Sequence, residues 1–169
     1  PFYFKSVVMK RFLYILFFLT SQLSPWAAKP IKIAVISDVH YLSSQLAGKG
    51  AALEKYETAM GKNTEDLHAV LDKVVTDLRD ESPDILLIPG DMTKDGEKQS
   101  HLDFKEKLQP LTKNGTQIFV VPGNHDINVP TSKKYTGDKT EPAENVTAEE
   151  FAQIYADFGY GKALKRDTA

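Results

Sequence analysis

The amino-acid sequence predicts an α/β fold in which parallel strands alternate with helices. Two observations carry this prediction. Three short apolar runs of strand length recur along the chain, and segments with apolar residues at helical spacing lie between them. The order strand, helix, strand, helix, strand, helix is typical of parallel strands joined by right-handed crossovers. The length of 169 residues suits one ordinary domain.

The three predicted strands are apolar runs bounded by turn residues. The first covers residues 31–36 and is rich in β-branched side chains. The second covers residues 85–88 and the third covers residues 117–121, and a Pro-Gly pair closes each of them. Continuous apolar runs of this length are typical of strands that are buried on both faces of a parallel sheet.

Helical periodicity predicts the elements between and after the strands. A helix begins at residues 63–65 and ends at Ser82-Pro83, with one apolar face. A shorter, less regular helix precedes the third strand, and a capping box at residues 147–150 begins the last one. Residues 41–62 and 128–146 are predicted to be loops, the first with at most one helical turn.

Composition excludes several classes of function. The formal net charge is −2, so the chain offers no broad positive field to a nucleic-acid polymer, and we expect none as a partner. The sequence contains no cysteine, which excludes thiolate catalysis, disulfides and cysteine-bound zinc. Any metal ion must therefore be bound by oxygen atoms and imidazole nitrogens.

Residues 1–28 are predicted to be a signal peptide or an N-terminal anchor. Met9-Lys10-Arg11 is followed by eight apolar or aromatic residues, which then give way to polar ones. A membrane span needs about 20 apolar residues, so no stable span is expected, whereas the run suits the core of a signal peptide. We therefore expect a secreted or periplasmic protein, with membrane anchoring at the N-terminus as the alternative. The remaining residues, 29–169, form the predicted domain.

Each predicted strand ends in a polar signature. The three signatures are Asp38-Val39-His40, Gly90-Asp91 and Gly123-Asn124-His125-Asp126. The carboxyl ends of parallel strands face one edge of the sheet, which is where ligands bind in open α/β sheets. Taken singly, each signature has an ordinary alternative as a turn or a helix cap. Together, and in this order, they predict that the polar side chains converge on one site.

The residue types in these signatures suit divalent metal ions. Asp38 and His40 lie two apart on a segment predicted to be extended, so their side chains should point the same way and bind one ion. Asp91 can bridge two ions through its two oxygens, and Asn124 offers a carbonyl oxygen to the second. Mixed oxygen and nitrogen ligands favour Mn, Fe or Zn over Mg or Ca.

These signatures resemble the first three motifs of calcineurin-like metallophosphoesterases. The resemblance covers residues 31 to 130 and implies the N-terminal half of that family's α/β sandwich. Four stretches are most similar to a secreted bacterial branch that includes proteins described as cyclic-nucleotide phosphodiesterases: residues 37–43, 90–96, 123–130 and 158–160.

The resemblance also implies a mechanism. Two divalent ions would activate a hydroxide and polarise the phosphoryl oxygens. By this implication, Asp38 and His40 bind the first ion, Asp91 bridges, and Asn124 binds the second ion and contacts substrate. His125 would bind the phosphate and protonate the leaving group. Asp126 would orient the imidazole of His125, with a role as a turn residue as the equal alternative.

The sequence departs from the family pattern downstream. Complete members carry a further histidine and a Gly-His-x-His signature, whereas no histidine follows His125. His68 is predicted to pack on a helix face, and His101 is predicted to be exposed at the start of the next helix. We therefore expect a C-terminally truncated domain whose isolated fragment is marginally stable and weakly active or inactive.

Two functions remain open at this point. The first is an exported hydrolase of small phosphate mono- or diesters, which includes cyclic nucleotides. The second is a non-catalytic exported module that keeps the fold and binds a ligand or a partner. The presence of Asp38, His40, Asp91, Asn124 and His125 favours the hydrolase.

Overall fold

The computed structural model describes residues 29–163 of the chain. The chain divides into two compact units, Pro1–Pro30 and Ile31–Ala169, and every described element lies in the second. The predicted targeting segment, residues 1–28, lies outside the described residues. Within residues 29–163, no helix combines the length and the apolar character that a membrane crossing requires.

Five strands, four α-helices and two short 3₁₀ turns make up the described part of the second unit. In chain order they are β1 (Ile33–Val35), α1 (Ala51–Met60), α2 (Thr64–Glu81), β2 (Ile85–Pro89), α3 (Lys98–Lys113), β3 (Gln117–Val121), β4 (Lys133–Thr136), β5 (Lys139–Pro142), α4 (Ala148–Ile154) and the 3₁₀ turns Ala156–Phe158 and Tyr160–Lys162.

A three-stranded parallel sheet confirms the predicted α/β class. The strand order is β1-β2-β3, with Ile33 opposite Ile85 in the first pair and Ile85 opposite Gln117 in the second. Because all three strands run the same way, their carboxyl ends lie at one edge of the sheet. The α2 and α4 N-termini are also as predicted: Asn63 caps α2, and a complete capping box begins α4.

The core lies between one face of the sheet and the helices. Leu86 and Ile88 of β2 and Ile118 and Val120 of β3 are buried on that face. The helical side of the core is made of large apolar side chains: Leu71, Phe104, Leu108, Leu111, Phe151, Tyr155 and Phe158. Side chains on a strand alternate between the two faces, so this core uses every second residue.

The opposite face of the sheet is exposed in the described structure. Val35 is 59% exposed and Val121 is 55% exposed, and both are apolar. Among the described residues helices cover one face only, so the prediction of buried strands holds for that face and not for the other. The apolar runs do not alternate in sequence, and periodicity therefore could not reveal which face the helices would leave open.

Two segments predicted to be loops contain regular structure. Residues 51–60 form the helix α1, and residues 133–142 form the antiparallel hairpin β4–β5. They share a second small core, here called the satellite cluster, formed by buried Leu42, Leu53 and Tyr135 with Leu46, Ala47, Ala52 and Tyr56 around them. Large apolar side chains are sparse in both segments, so the periodicity of the sequence was too weak to predict a helix or a hairpin there.

Glycine allows α1 and the hairpin to approach each other closely. The amide of Gly48 donates a hydrogen bond to the carbonyl oxygen of Tyr135 at 3.1 Å. A Cβ atom on Gly50 would lie 2.6 Å from the Cα of Gly137, and the φ of Gly50 is 143°. Both the contact and the dihedral angle exclude larger residues at position 50. Gly48 and Gly50 thus allow the close packing of α1 against the hairpin.

Replacing Phe104 with alanine tests the main core. Phe104 is 0% exposed, and we expect Phe104→Ala to lower the free energy of unfolding by about 3–5 kcal/mol, because it removes apolar contacts and leaves a cavity. Leu102→Ala, on the same helix at 43% exposure, should cost less than about 1 kcal/mol. Urea denaturation followed by circular dichroism measures both. Equal losses would contradict the assignment of this helix face to the core.

Candidate active site

The segments that follow β1 and β2 remain paired after the strands end. The amide of Asp38 donates to the carbonyl oxygen of Gly90 at 3.3 Å, and the amide of His40 donates to that of Asp91 at 2.9 Å. The amide of Tyr41 then donates to the carbonyl oxygen of Met92 at 2.9 Å. These hydrogen bonds fix the position of the first polar signature against the second.

Three of the predicted ligands have left-handed backbone conformations. The φ angles are 55° for Asp38, 50° for His40 and 47° for Asp91. From the sequence, we expected Asp38 and His40 to point the same way because the backbone there would be extended. The backbone is not extended, so that reason is wrong. Non-glycine residues in this region are strained, and such strain clusters at functional sites where the surrounding structure enforces it.

The three side chains nevertheless converge. Each of Asp38, His40 and Asp91 offers a ligand atom, and these atoms all lie within 4.8 Å of one another. Within residues 29–163, this is the one group of three acidic or histidine side chains with such spacing. Two carboxylates and an imidazole at this spacing can hold a divalent ion, and the donor set suits Mn, Fe or Zn.

The third signature lies against the carboxylate of Asp91. The amide of His125 donates to Oδ1 of Asp91 at 3.0 Å, and a Cβ on Gly123 would lie 2.6 Å from the Asp91 nitrogen. Only glycine fits at that position, because any side chain would displace Asp91. Asn124 lies between these two residues and is exposed, so the chain brings it to the same edge of the site.

The imidazole of His125 has a defined orientation. Its Nδ1 lies 2.9 Å from the carbonyl oxygen of Lys94 and 3.2 Å from Oδ1 of Asp95. A carbonyl oxygen can only accept, so Nδ1 carries a proton and donates it. Nε2 is then the nitrogen available to a ligand. The ring is 4.9 Å from the ring of His40, edge to face.

Asp126 does not orient His125. Its carboxylate is buried and bonded elsewhere: Oδ1 accepts from the amide of Thr93 at 2.9 Å, and Oδ2 accepts from the amide of Gly123 at 2.8 Å. The predicted orienting role of Asp126 is thus corrected to its alternative, a residue that holds the turn. Asp95 contacts the imidazole instead, and sequence reasoning missed it because it lies 30 positions away.

The charges around the two histidines are unevenly distributed. Burial, and next the positive charge of Lys62, hold the pKa of His40 below its ordinary value. This keeps the imidazole neutral, which is the form that binds metal. Lys94 is buried and forms an ion pair with Asp95. Burial opposes the charge on Lys94, but the hydrogen bond and the charge of Asp95, together with nearby Tyr135 and Glu97, outweigh it and raise the pKa of Lys94.

The other two histidines have structural contacts. Nε2 of His68 lies 2.7 Å from the carbonyl oxygen of Leu42, and its ring stacks on Tyr41, as the packing prediction expects. His101 is 0% exposed, so the prediction of exposure is wrong. Its Nε2 donates to the carbonyl oxygen of Asp126 at 2.7 Å, and its Nδ1 lies 3.0 Å from the hydroxyl of Tyr155. His101 thus stabilises the turn that carries His125, through its hydrogen bond to Asp126.

The buried position of His101 makes stability depend on pH. Burial holds its pKa below 6.5 in the folded state. As pH falls through about 6.5 the unfolded chain binds a proton that the folded chain does not, so stability falls, by at most about 1.4 kcal/mol per pH unit. Urea denaturation at pH 7.5 and 5.5 should show a smaller loss for His101→Gln than for the unchanged chain. Identical losses would contradict the neutral, buried state of His101.

Comparison with known proteins places the chain in a family. The calcineurin-like phosphoesterase family model matches residues 31–164. A probable cyclic nucleotide phosphodiesterase from Pseudoalteromonas sp. (strain SM9913) is 28% identical over 124 residues, which is 73% of this chain and 42% of that protein. A 3′,5′-cyclic-nucleotide phosphodiesterase from Nostoc sp. (strain PCC 7120) is 34% identical over 104 residues, 62% of this chain and 34% of that protein.

A third relative with the same kind of name matches over a shorter stretch of the chain. A probable cyclic nucleotide phosphodiesterase from Ruthia magnifica is 34% identical over 76 residues, 45% of this chain and 30% of that protein. The chain thus spans less than half the length of the curated relatives that it matches. The family match, in contrast, covers most of the chain and all three polar signatures. The chain therefore belongs to the calcineurin-like phosphoesterase family.

Proposed function

We propose that the protein hydrolyses phosphate esters with divalent metal ions held at the edge of the sheet. The observation that carries this proposal is the convergence of ligand atoms from Asp38, His40 and Asp91 within 4.8 Å of one another. Membership of the calcineurin-like phosphoesterase family supports the reaction class. The proposed ligands are Asp38 and His40 for one ion, Asn124 for a second, and Asp91 for both.

The residues present fit metal binding. Three residues at the site have left-handed backbone conformations. Such conformations cost free energy and are typical of functional sites, where the surrounding structure enforces them. When bound, two divalent ions, for which Mn, Fe or Zn is our proposal, would supply an activated water molecule and stabilise charge on the phosphoryl oxygens. Asp91 is suited to the shared position because it lies between the first signature and the third, in contact with both segments.

His125 is proposed as the general acid for the leaving group. Its Nδ1 is engaged by the carbonyl oxygen of Lys94 and by Asp95, so Nε2 is left to face the substrate. The contact between Nδ1 and the carboxylate of Asp95 also holds the orientation of the ring. Proton transfer from Nε2 to the departing alkoxide oxygen would then avoid the release of a strongly basic alkoxide.

The proposed substrates are small phosphate mono- or diesters. The three relatives are named as cyclic nucleotide phosphodiesterases, so cyclic nucleotides are the first compounds to assay. We also propose that the protein is exported, because residues 1–28 have the pattern of a signal peptide. Binding of phosphate esters without hydrolysis by the metal-loaded protein would instead favour a non-catalytic module.

Asp91→Asn tests the metal site. We expect metal content after gel filtration to fall and the hydrolysis of bis(p-nitrophenyl) phosphate to drop by at least about 100-fold, because an amide cannot supply two anionic oxygens to two ions. Elemental analysis and the chromogenic assay measure the two effects. Asp80→Asn removes the same charge from an exposed position at the end of α2 and serves as the control. Unchanged turnover in Asp91→Asn would refute the shared-ligand role.

His125→Gln tests the general acid. Metal content should stay as in the unchanged protein, whereas kcat should fall by about 10²–10⁴-fold for esters with alkyl leaving groups. Esters of p-nitrophenol should lose much less, because that leaving group needs no proton. Asp95→Asn should show the same dependence on leaving group with a smaller loss. Equal losses for alkyl and p-nitrophenyl esters would contradict proton donation by His125.

A further inference from the structure

A cavity opens beside the two histidines of the site. Its volume is about 470 Å³, which suits a small organic molecule. The residues that matter for its chemistry are His40, His125, Tyr56, Met60, Lys62 and Lys133. The first two belong to the proposed catalytic centre, and the other four come from α1, the residues just after it, and β4.

One wall of the cavity is apolar and aromatic. The rings of Tyr56 and Tyr135 lie 5.6 Å apart, and both residues belong to the satellite cluster. Met60 is 54% exposed and lines the same cavity. A flat or apolar organic group can pack against such a wall, since side chains of this type dominate the lining of small-molecule sites. A hydrogen bond joins the two elements that form this wall: the amide of Ala52 in α1 donates to the carbonyl oxygen of Gly137, between β4 and β5, at 3.1 Å.

The cavity also carries uncompensated positive charge. The ion pair with Asp95 neutralises Lys94, which lines the cavity as well. Lys62 and Lys133 line it without an ion-pair partner among residues 29–163. Lys62 lies beside the centre, because it lines the same cavity as His40 and His125. Two unpaired cations that face one concave space favour an anionic ligand.

The chemistry of His125 decides which part of a substrate lies in this cavity. In the proposed hydrolysis, water adds its oxygen to phosphorus, and the bond from phosphorus to the alcohol oxygen breaks with its electron pair on that oxygen. The Nε2 proton of His125 goes to the same oxygen, and the proton lost by water passes to solvent, from which Nε2 is reprotonated. The departing alcohol must therefore lie next to His125, and His125 is one of the residues that line this cavity.

We propose that this cavity binds the leaving alcohol of the substrate, and that this alcohol contains a ring and an anionic substituent. The ring packs against Tyr56 and Met60, and the anion pairs with Lys62 and Lys133. This inference rests on the proposed function, because it uses His125 as the general acid. It adds a preference that the metal site alone would not produce, since metal ions held there would interact with the phosphoryl group that every ester has in common.

The test compares two chromogenic diesters with the full-length, metal-loaded protein. Both are methyl aryl phosphates, and their leaving groups are 4-nitrophenol and 3-carboxy-4-nitrophenol. After division by the rates of uncatalysed hydrolysis, kcat/KM should favour the carboxylated ester by about tenfold, since two exposed charge pairs contribute modestly. The readout is this ratio, so a change that affects both esters equally cancels.

Variants of the lysines assign the preference. Lys62→Met and Lys133→Met should each lower the ratio by about threefold, and Lys62→Arg should retain it. Lys55→Met removes a lysine from α1 that does not line the cavity, and its ratio should equal that of the unchanged protein. A ratio near one in the unchanged protein, or a ratio unaffected by both methionine variants, would overturn the inference.

Binding of the two free phenols separates this inference from the proposed function. Titration calorimetry should show tighter binding of 3-carboxy-4-nitrophenol than of 4-nitrophenol, and loss of the difference in the double variant Lys62→Met/Lys133→Met. If that difference is seen but neither ester is hydrolysed, the hydrolase proposal fails and the anion-selective cavity stands. If both esters are hydrolysed at equal rates and the phenols bind equally, the cavity inference fails and the hydrolase proposal stands.

Discussion

The site depends on backbone pairing that continues beyond the ends of β1 and β2. In most parallel sheets the chain leaves the sheet at the strand end, but here the amides of Asp38, His40 and Tyr41 still donate to carbonyl oxygens of the neighbouring segment. These bonds hold Asp38, His40 and Asp91 in left-handed conformations, each of which costs roughly 1 kcal/mol or more in isolation. The buried face of the sheet anchors both segments, so packing in the core stabilises the strained geometry of the site.

The third segment is attached by a different interaction. Asp126 is buried and joins its own turn to Thr93 of the second segment through a carboxylate that is bonded on both oxygens. His101 and Tyr155 continue this network toward α3 and α4. Buried polar groups that are fully hydrogen-bonded specify one arrangement, since any alternative would leave donors or acceptors without partners. Helices α3 and α4 thus help to position His125, although neither carries a residue that contacts the substrate in the proposed mechanism.

Sequence patterns predicted the framework of this site better than its surroundings. The apolar runs gave the three parallel strands, and the polar residues after them gave Asp38, His40 and Asp91 as one group. The satellite cluster escaped prediction because its helix and hairpin bury few apolar residues, and its glycines suggested a loop. The partner of His125 was also misassigned. Asp126 is adjacent in sequence, but its carboxylate turns into the core, whereas Asp95 reaches the ring from another segment, a contact that local sequence does not encode.

The site at the sheet edge and the cavity beside the satellite cluster would recognise different parts of a substrate. In the proposed mechanism, the sheet edge would supply ligands for metal ions, which would recognise a phosphoryl group whatever is attached to it. One wall of the cavity comes from α1 and the hairpin, and these elements would contact a different part of a substrate. The net charge of −2 argues against a polyanion, because a long anionic polymer feels the field of the whole surface. A small anion inside a cavity of about 470 Å³ instead feels mainly the charges that line it, because charges farther than about 10 Å away are screened by salt. Three lysines, Lys62, Lys94 and Lys133, and one carboxylate, Asp95, line this cavity. A chain with a negative net charge can therefore still select an anionic substrate.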